Sequence, residues 1–198
     1  VNGNRRDPSI SFGEELARKA IHLCSLSIPV GGYVVGRDVG LPILASIAGV
    51  FLLFDGLRVL GVKPVDRLIR LIFGRVIRSH ESKNLTGGTY LLLTSTACFW
   101  LMPMPAFMAA VTFLVLGDTA AALVGRRWGV HRYGGKSIEG SLACLAICLL
   151  AVPIVPELPY LAGALGALAA TVAEAFTGPL DDNVAMPIVS GGVMVLFF

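Results

Sequence analysis

The sequence predicts an all-α protein: a polytopic membrane helical bundle of about seven transmembrane helices, with a basic amphipathic helix lying in the interface. Three observations carry that expectation. Hydrophobic residues make up 55% of the 198 and charged residues only 15%, against roughly a quarter charged in ordinary soluble domains. Mean hydropathy is +0.77. The apolar residues also gather into runs separated by short polar stretches, with no Ser/Pro-rich linker between them. A single integral-membrane domain over residues 1–198 is therefore expected.

Residues 1–15 hold Arg5, Arg6 and Asp7-Pro8 and read as a short lead-in without the cleavage pattern of a signal peptide. A first span is expected over residues 16–35, with Arg18, Lys19 and His22 in its opening turns. Arg18 and Lys19 can snorkel to the head groups. Alternatively Lys19 and His22, one turn apart on one face, point into a site at the membrane surface. Span two covers residues 39–60 and contains Asp55, followed by Arg58. Over residues 63–78, Val65, Leu68, Ile69, Leu71, Ile72 and Val76 interleave with Arg67, Arg70, Arg75 and Arg78. That stretch is too charged to span and suits an amphipathic helix on an anionic lipid surface.

A polar hinge, residues 80–88 with Glu81 and Lys83, precedes span three at 89–102. Pro103 and Pro105 make the return into span four, 106–124, which carries Asp118 in its last third. Span five, 138–155, begins with Glu139, and Pro153, Pro156 and Pro159 mark the next turn. Span six, 160–176, is rich in Ala and Gly, suits close helix packing and carries Glu174 near its end. A loop, 177–183, with Asp181, Asp182 and Asn183, leads to a last apolar segment, 184–198. Cys24, Cys98, Cys144 and Cys148 all lie in apolar runs without zinc-type spacing, and are expected as buried thiols.

Residues 116–141 form a polar cassette between spans four and five. Asp118 is followed by Gly125-Arg126-Arg127-Trp128-Gly129 and by the turn Gly134-Gly135-Lys136-Ser137. Basic side chains on a loop, glycines that let backbone N–H groups approach, and carboxylates at the bordering helix ends suit a phosphate-bearing ligand with a divalent metal. A topology-setting basic loop is the plain alternative. A Walker loop is rejected, because its first glycine falls on Val130 and no soluble strand precedes it. Asp118 and Glu174, flanked by apolar residues, are the carboxylates least readily explained as surface charge. Glu139 suits the start of a helix in any case.

Of the 16 Lys and Arg, Arg37 alone falls on one side of the expected topology. Four precede or open span one, seven lie between spans two and three, and four lie between spans four and five. This positive-inside bias predicts a cytoplasmic N-terminus, amphipathic helix and cassette. The acidic loop at Asp181-Asp182 joins them if the count of seven spans holds.

Five stretches resemble, in order, the membrane-embedded CTP-dependent lipid kinase family, which includes dolichol kinase, phytol kinase and the CTP-dependent diacylglycerol kinase. They are Arg18-Lys19-Ala20-Ile21-His22, Glu81-Ser82-Lys83-Asn84-Leu85-Thr86-Gly87, residues 117–129, Gly135-Lys136-Ser137-Ile138-Glu139-Gly140-Ser141, and Asp181-Asp182-Asn183-Val184-Ala185-Met186-Pro187. Trp128 and Val184-Ala185-Met186 depart modestly from that pattern. The resemblance implies an all-helical membrane enzyme that moves the γ-phosphoryl group of CTP to a lipid hydroxyl. It implies CTP, a membrane lipid alcohol and the bilayer as partners, with no nucleic acid.

Phosphoryl transfer asks for neutralised phosphate charge and in-line positioning. On the resemblance, Arg126, Arg127 and Lys136 hold the triphosphate, with Gly125, Gly135 and Ser137 beside it. Asp118, Asp181 and Asp182 hold Mg²⁺. Glu139 or Glu174 completes that shell or accepts the alcohol's proton. Lys19 and His22 line the site, and Asn183 hydrogen-bonds the nucleotide or a carboxylate. The acceptor stays open among a polyprenol or dolichol, a phytol-like alcohol and diacylglycerol. A CTP:phosphatidate cytidylyltransferase and a small anion transporter are the alternatives.

Overall fold

The computed structural model describes residues 12–65, 67, 84–176 and 180–198. Among them are eight α-helices: α1 Phe12–Leu23, α2 Ser27–Val35, α3 Arg37–Val59, α4 Gly87–Leu101, α5 Met104–Arg127, α6 Ile138–Ala151, α7 Tyr160–Phe176 and α8 Asp182–Val195. Residues 1–11 of the expected lead-in, most of the expected amphipathic helix, Glu81, Lys83 and residues 177–179 lie outside the described residues.

The apolar runs became helices at the expected places, with three differences. The first span is divided: a 3₁₀ turn, Cys24–Leu26, separates α1 from α2. Pro29 explains the break, because it lacks the N–H that would bond back one turn, and the chain tightens there instead. The acidic stretch is also less of a loop than expected, since Asp181 caps α8 and Asp182 is its first residue. Within the cassette, Arg132–Tyr133 (β1) and Lys136–Ser137 (β2) pair as an antiparallel hairpin, with Arg132 opposite Ser137 and Tyr133 opposite Lys136.

Among the described residues, two helices are long and apolar enough to cross a membrane: α3, with 23 residues, and α5, with 24. The segments Ile138–Ile154 and Tyr160–Phe176 are apolar but shorter. The two long helices play opposite parts, since α5 is 61% buried over its apolar window and α3 only 22%. α5 is the central post, packed against α1, α2, α6, α7 and α8, with Phe107, Phe113, Leu114 and Val115 fully enclosed. α3 is an outer helix whose Val39, Ile43, Val50 and Leu53 stand more than half exposed.

Small residues set how closely the post is packed. A Cβ on Gly117 of α5 would lie 2.8 Å from Cys144 Sγ and 2.9 Å from Cys148 Sγ of α6. Gly117→Val is expected to lower stability by about 1–3 kcal/mol through overpacking, read as a drop in the thermal unfolding midpoint in detergent. An unchanged midpoint would mean that α5 and α6 can part without cost. Cys98, Cys144 and Cys148 are buried as expected, whereas Cys24, at the break between α1 and α2, is exposed.

A polar staple joins the end of α3 to the start of α4. Asp55 Oδ1 accepts from Arg58 Nε at 2.7 Å, and Asp55 Oδ2 accepts from the Thr86 N–H at 2.5 Å and from Thr89 Oγ1 at 2.9 Å. Arg58 Nη2 donates to the Asn84 carbonyl at 2.5 Å. Asp55, Arg58 and Thr89 are all buried. At the other end of the same pair, Arg37 donates to the Met102 carbonyl beyond α4 and stands 5.9 Å over the Phe99 ring.

Candidate active site

The predicted site residues collect into two polar clusters around the C-terminal half of α5 and the hairpin that follows it. The first lies between α1 and α5. Glu15, Lys19 and His22 share a face of α1 by their spacing of four and three, and Leu114 and Asp118, four apart, share a face of α5. Lys19 Nζ donates to Asp118 Oδ2, and the same oxygen stands 3.6 Å from His22 Nε2, beyond hydrogen-bond reach. One helical turn nearer the chain start, Glu15 accepts from Arg18 and lies 3.5 Å from Arg126 Nη2. Lys19 is only 1% exposed.

The hairpin builds the second cluster. Gly134-Gly135 is its two-residue loop, and Gly134 takes φ +55° at the first central position, where glycine is favoured. The turn sets Tyr133 beside Lys136. Lys136 Nζ donates to Glu174 Oε1 of α7 at 2.8 Å and to Asp182 Oδ2 of α8 at 3.0 Å. Tyr133 Oη and Ser141 Oγ are hydrogen-bonded at 2.5 Å, and Ser141 Oγ donates to Glu174 Oε2 at 3.1 Å. Both oxygens of Glu174 are thereby engaged, and the residue is 3% exposed. Burial pushes the Lys136 ammonium's pKa down, but the charges of Asp182 and Glu174 outweigh it, and the pKa stands above the ordinary lysine value.

Two oxygens nearby remain open. Glu139 Oε1 accepts from the His131 N–H at 3.1 Å and pairs with His131 Nδ1 at 2.7 Å, while its Oε2 is buried without a hydrogen-bond partner. Asn183 donates from its N–H and Nδ2 to Asp181 Oδ1 at 2.9 and 2.6 Å, and its Oδ1 is buried without a partner.

Over part of its length the chain is similar to known lipid kinases. The dolichol kinase sec59 of Schizosaccharomyces pombe is 30% identical over 110 residues, which are 50% of this chain and 22% of that protein. The dolichol kinase EVAN of Arabidopsis thaliana is 27% identical over 154 residues, 70% of this chain and 27% of that one. Both likenesses are distant. Its matched part spans under a third of either kinase's length. An uncharacterised protein of Rickettsia prowazekii is 28% identical over 66% of this chain and 65% of its own length. No family model and no solved structure matches the chain.

The remaining predicted site residues are placed as follows. Arg127 is exposed in the last turn of α5. Gly125 is buried where α5 meets α6, since a Cβ on Gly140 would lie 3.2 Å from its Cα. Ser137 caps α6, its Oγ accepting from the Gly140 N–H at 3.1 Å. Asp118, Asp181 and Asp182 are not brought together as a cation site: the first holds Lys19, the second caps α8, and the third holds Lys136. Among the described residues, no group of three or more His, Cys, Asp or Glu side chains is arranged to hold a metal ion. Sequence reasoning missed Glu15, Tyr133, His131 and Ser141 as members of these networks. Glu15 had a readable signal, because it precedes Lys19 by one helical turn. The other three depend on the hairpin.

Proposed function

We propose that the chain is a membrane-embedded kinase that transfers the γ-phosphoryl group of CTP to the hydroxyl of a lipid alcohol: a polyprenol or dolichol, a phytol-like alcohol, or diacylglycerol. The observation that carries this reading is Lys136, presented on a glycine hairpin against two acidic side chains at the ends of apolar helices. The distant likeness to dolichol kinases supports it. In the reaction, a bond forms between the lipid oxygen and the γ-phosphorus, the bond from that phosphorus to the β,γ-bridging oxygen breaks, and CDP leaves.

Lys136, Arg126 and Arg127 are the cations for the triphosphate, with the backbone at Gly135 beside them. Of the two acids proposed to take the alcohol's proton, Glu139 has an oxygen left open, Oε2, while both Glu174 oxygens are engaged. Asn183 Oδ1 is free to accept from the nucleotide. The proposal includes a requirement for Mg²⁺, which when bound neutralises phosphate charge. Among the described residues, Asp118, Asp181 and Asp182 do not form a cation-holding group.

The chain is read as multi-pass, with its N-terminus and site on the cytoplasmic face. The one-sided distribution of Lys and Arg and the apolar exterior of α3 support this. CTP would arrive from the aqueous side and the lipid laterally. The test uses purified protein in lipid, Mg²⁺ and γ-labelled CTP, offered diacylglycerol, a polyprenol and phytol in turn. Label in one lipid with CDP released is the expected result and identifies the acceptor. Absence of label from every lipid overturns the reading, and a CDP-lipid with pyrophosphate would replace it with a cytidylyltransferase.

A further inference from the structure

We infer that Asp118 is the fixed counter-ion of Lys19, positioning α1 and His22 against α5, and is not a ligand of the divalent cation. This rests on the kinase reading for its cation readout alone.

Lys19 is among the largest side chains buried almost completely, at 1% exposure, and its ammonium donates to Asp118 Oδ2. Its neighbours supply no substitute. Arg18 carries the same sign, and Glu15 is engaged by Arg18 and Arg126. A dication that took the Asp118 carboxylate would leave a buried ammonium uncompensated and set a second positive charge beside it, both unfavourable where water is excluded.

His22 strengthens the assignment. It lies three residues beyond Lys19, on the same face of α1. Its Nε2 stands 3.6 Å from the oxygen that Lys19 holds. Asp118 thus faces two side chains of α1, an ammonium and an imidazole, with no second acid in a cation-holding group among the described residues. The acids near Lys136 lie on α7 and α8 and have their own cation. Asp118 joins helices, while Lys136 is held at the hairpin by acids of its own.

The test compares the full chain in lipid nanodiscs with Asp118→Asn, Lys19→Met and the neutral pair Lys19→Met/Asp118→Leu. Two readouts are taken: the thermal unfolding midpoint, and Mn²⁺ uptake in the presence of CTP by electron paramagnetic resonance. A counter-ion pair gives two destabilised single variants and a double variant that melts above both, with Mn²⁺ affinity within about threefold of the unsubstituted chain. A cation ligand gives a double variant whose Mn²⁺ affinity falls by roughly 10–100-fold, a loss of the size seen when metal sites are disturbed, and that outcome overturns the inference. Additive losses in the melting midpoint overturn it as well. Should the unsubstituted chain take up no Mn²⁺ with CTP, the kinase reading fails, and the melting cycle still decides whether Asp118 and Lys19 form a pair.

Discussion

Asp55→Ala is expected to destabilise the protein by about 3–5 kcal/mol, the range for removing one partner of a buried ion pair. Asp55 is 3% exposed and Arg58 5%, so the guanidinium left behind keeps its charge in a site that water does not reach. The substitution also strips the acceptor from the Thr86 N–H at the cap of α4 and from Thr89 Oγ1. Leaving that N–H without its acceptor adds about 1 kcal/mol. Thr89→Val removes only one donor and should cost far less. Replacing both charges, as Asp55→Leu with Arg58→Met, should regain much of the loss, because the apolar pair strands no ion. Thermal unfolding in detergent checks the series. A shift for Asp55→Ala no larger than that of Thr89→Val would show that the staple contributes little.

Lys136→Met is the substitution with the largest expected effect on catalysis. The loss of a cation aimed at the transferred phosphates should lower turnover by about 10²–10³-fold, the range for removing a preorganised electrostatic donor. The same change leaves Glu174 and Asp182 as two carboxylates with no lysine between them. Lys136→Met/Glu174→Gln separates the two consequences: it relieves the repulsion and should restore folding without restoring turnover. Recovery of turnover in that double variant would remove Lys136 from the chemistry. The raised pKa of Lys136 also sets a sign for pH. Its ion pairs contribute fully below the unfolded lysine value of about 10.4 and weaken only as pH rises through the higher folded value. No loss of this cluster is therefore expected across the neutral range.

Much of the helical framework was legible because a bundle with an apolar exterior needs continuous apolar runs, and turn residues interrupt those runs where helices end. Pro103 and Pro105 marked the start of α5, and Pro156 and Pro159 preceded α7. The division between α1 and α2 was not foreseen, because Pro29 lies within an apolar run and alters backbone bonding without changing composition. The hairpin was missed because each strand is only two residues long, too short to show alternation. At the site, Asp118 and Glu174 stood out as charges in apolar surroundings, and Lys136 as the cation of the Gly-Gly-Lys-Ser turn. Their partners were not readable in the same way. Lys136 meets Glu174 and Asp182 across 38 and 46 residues of chain, and no local spacing encodes such a meeting. Charge pattern marked which residues matter, while packing decided which of them pair.

The unequal burial of the four thiols has a practical consequence. Cys98, Cys144 and Cys148 are enclosed, and Cys24 stands outside at the seam between α1 and α2. A maleimide fluorophore or spin label small enough to partition into lipid would therefore react at one position of the unsubstituted chain, two residues beyond His22. Movement of the first helix when nucleotide or lipid is added could then be followed spectroscopically without removing a single cysteine.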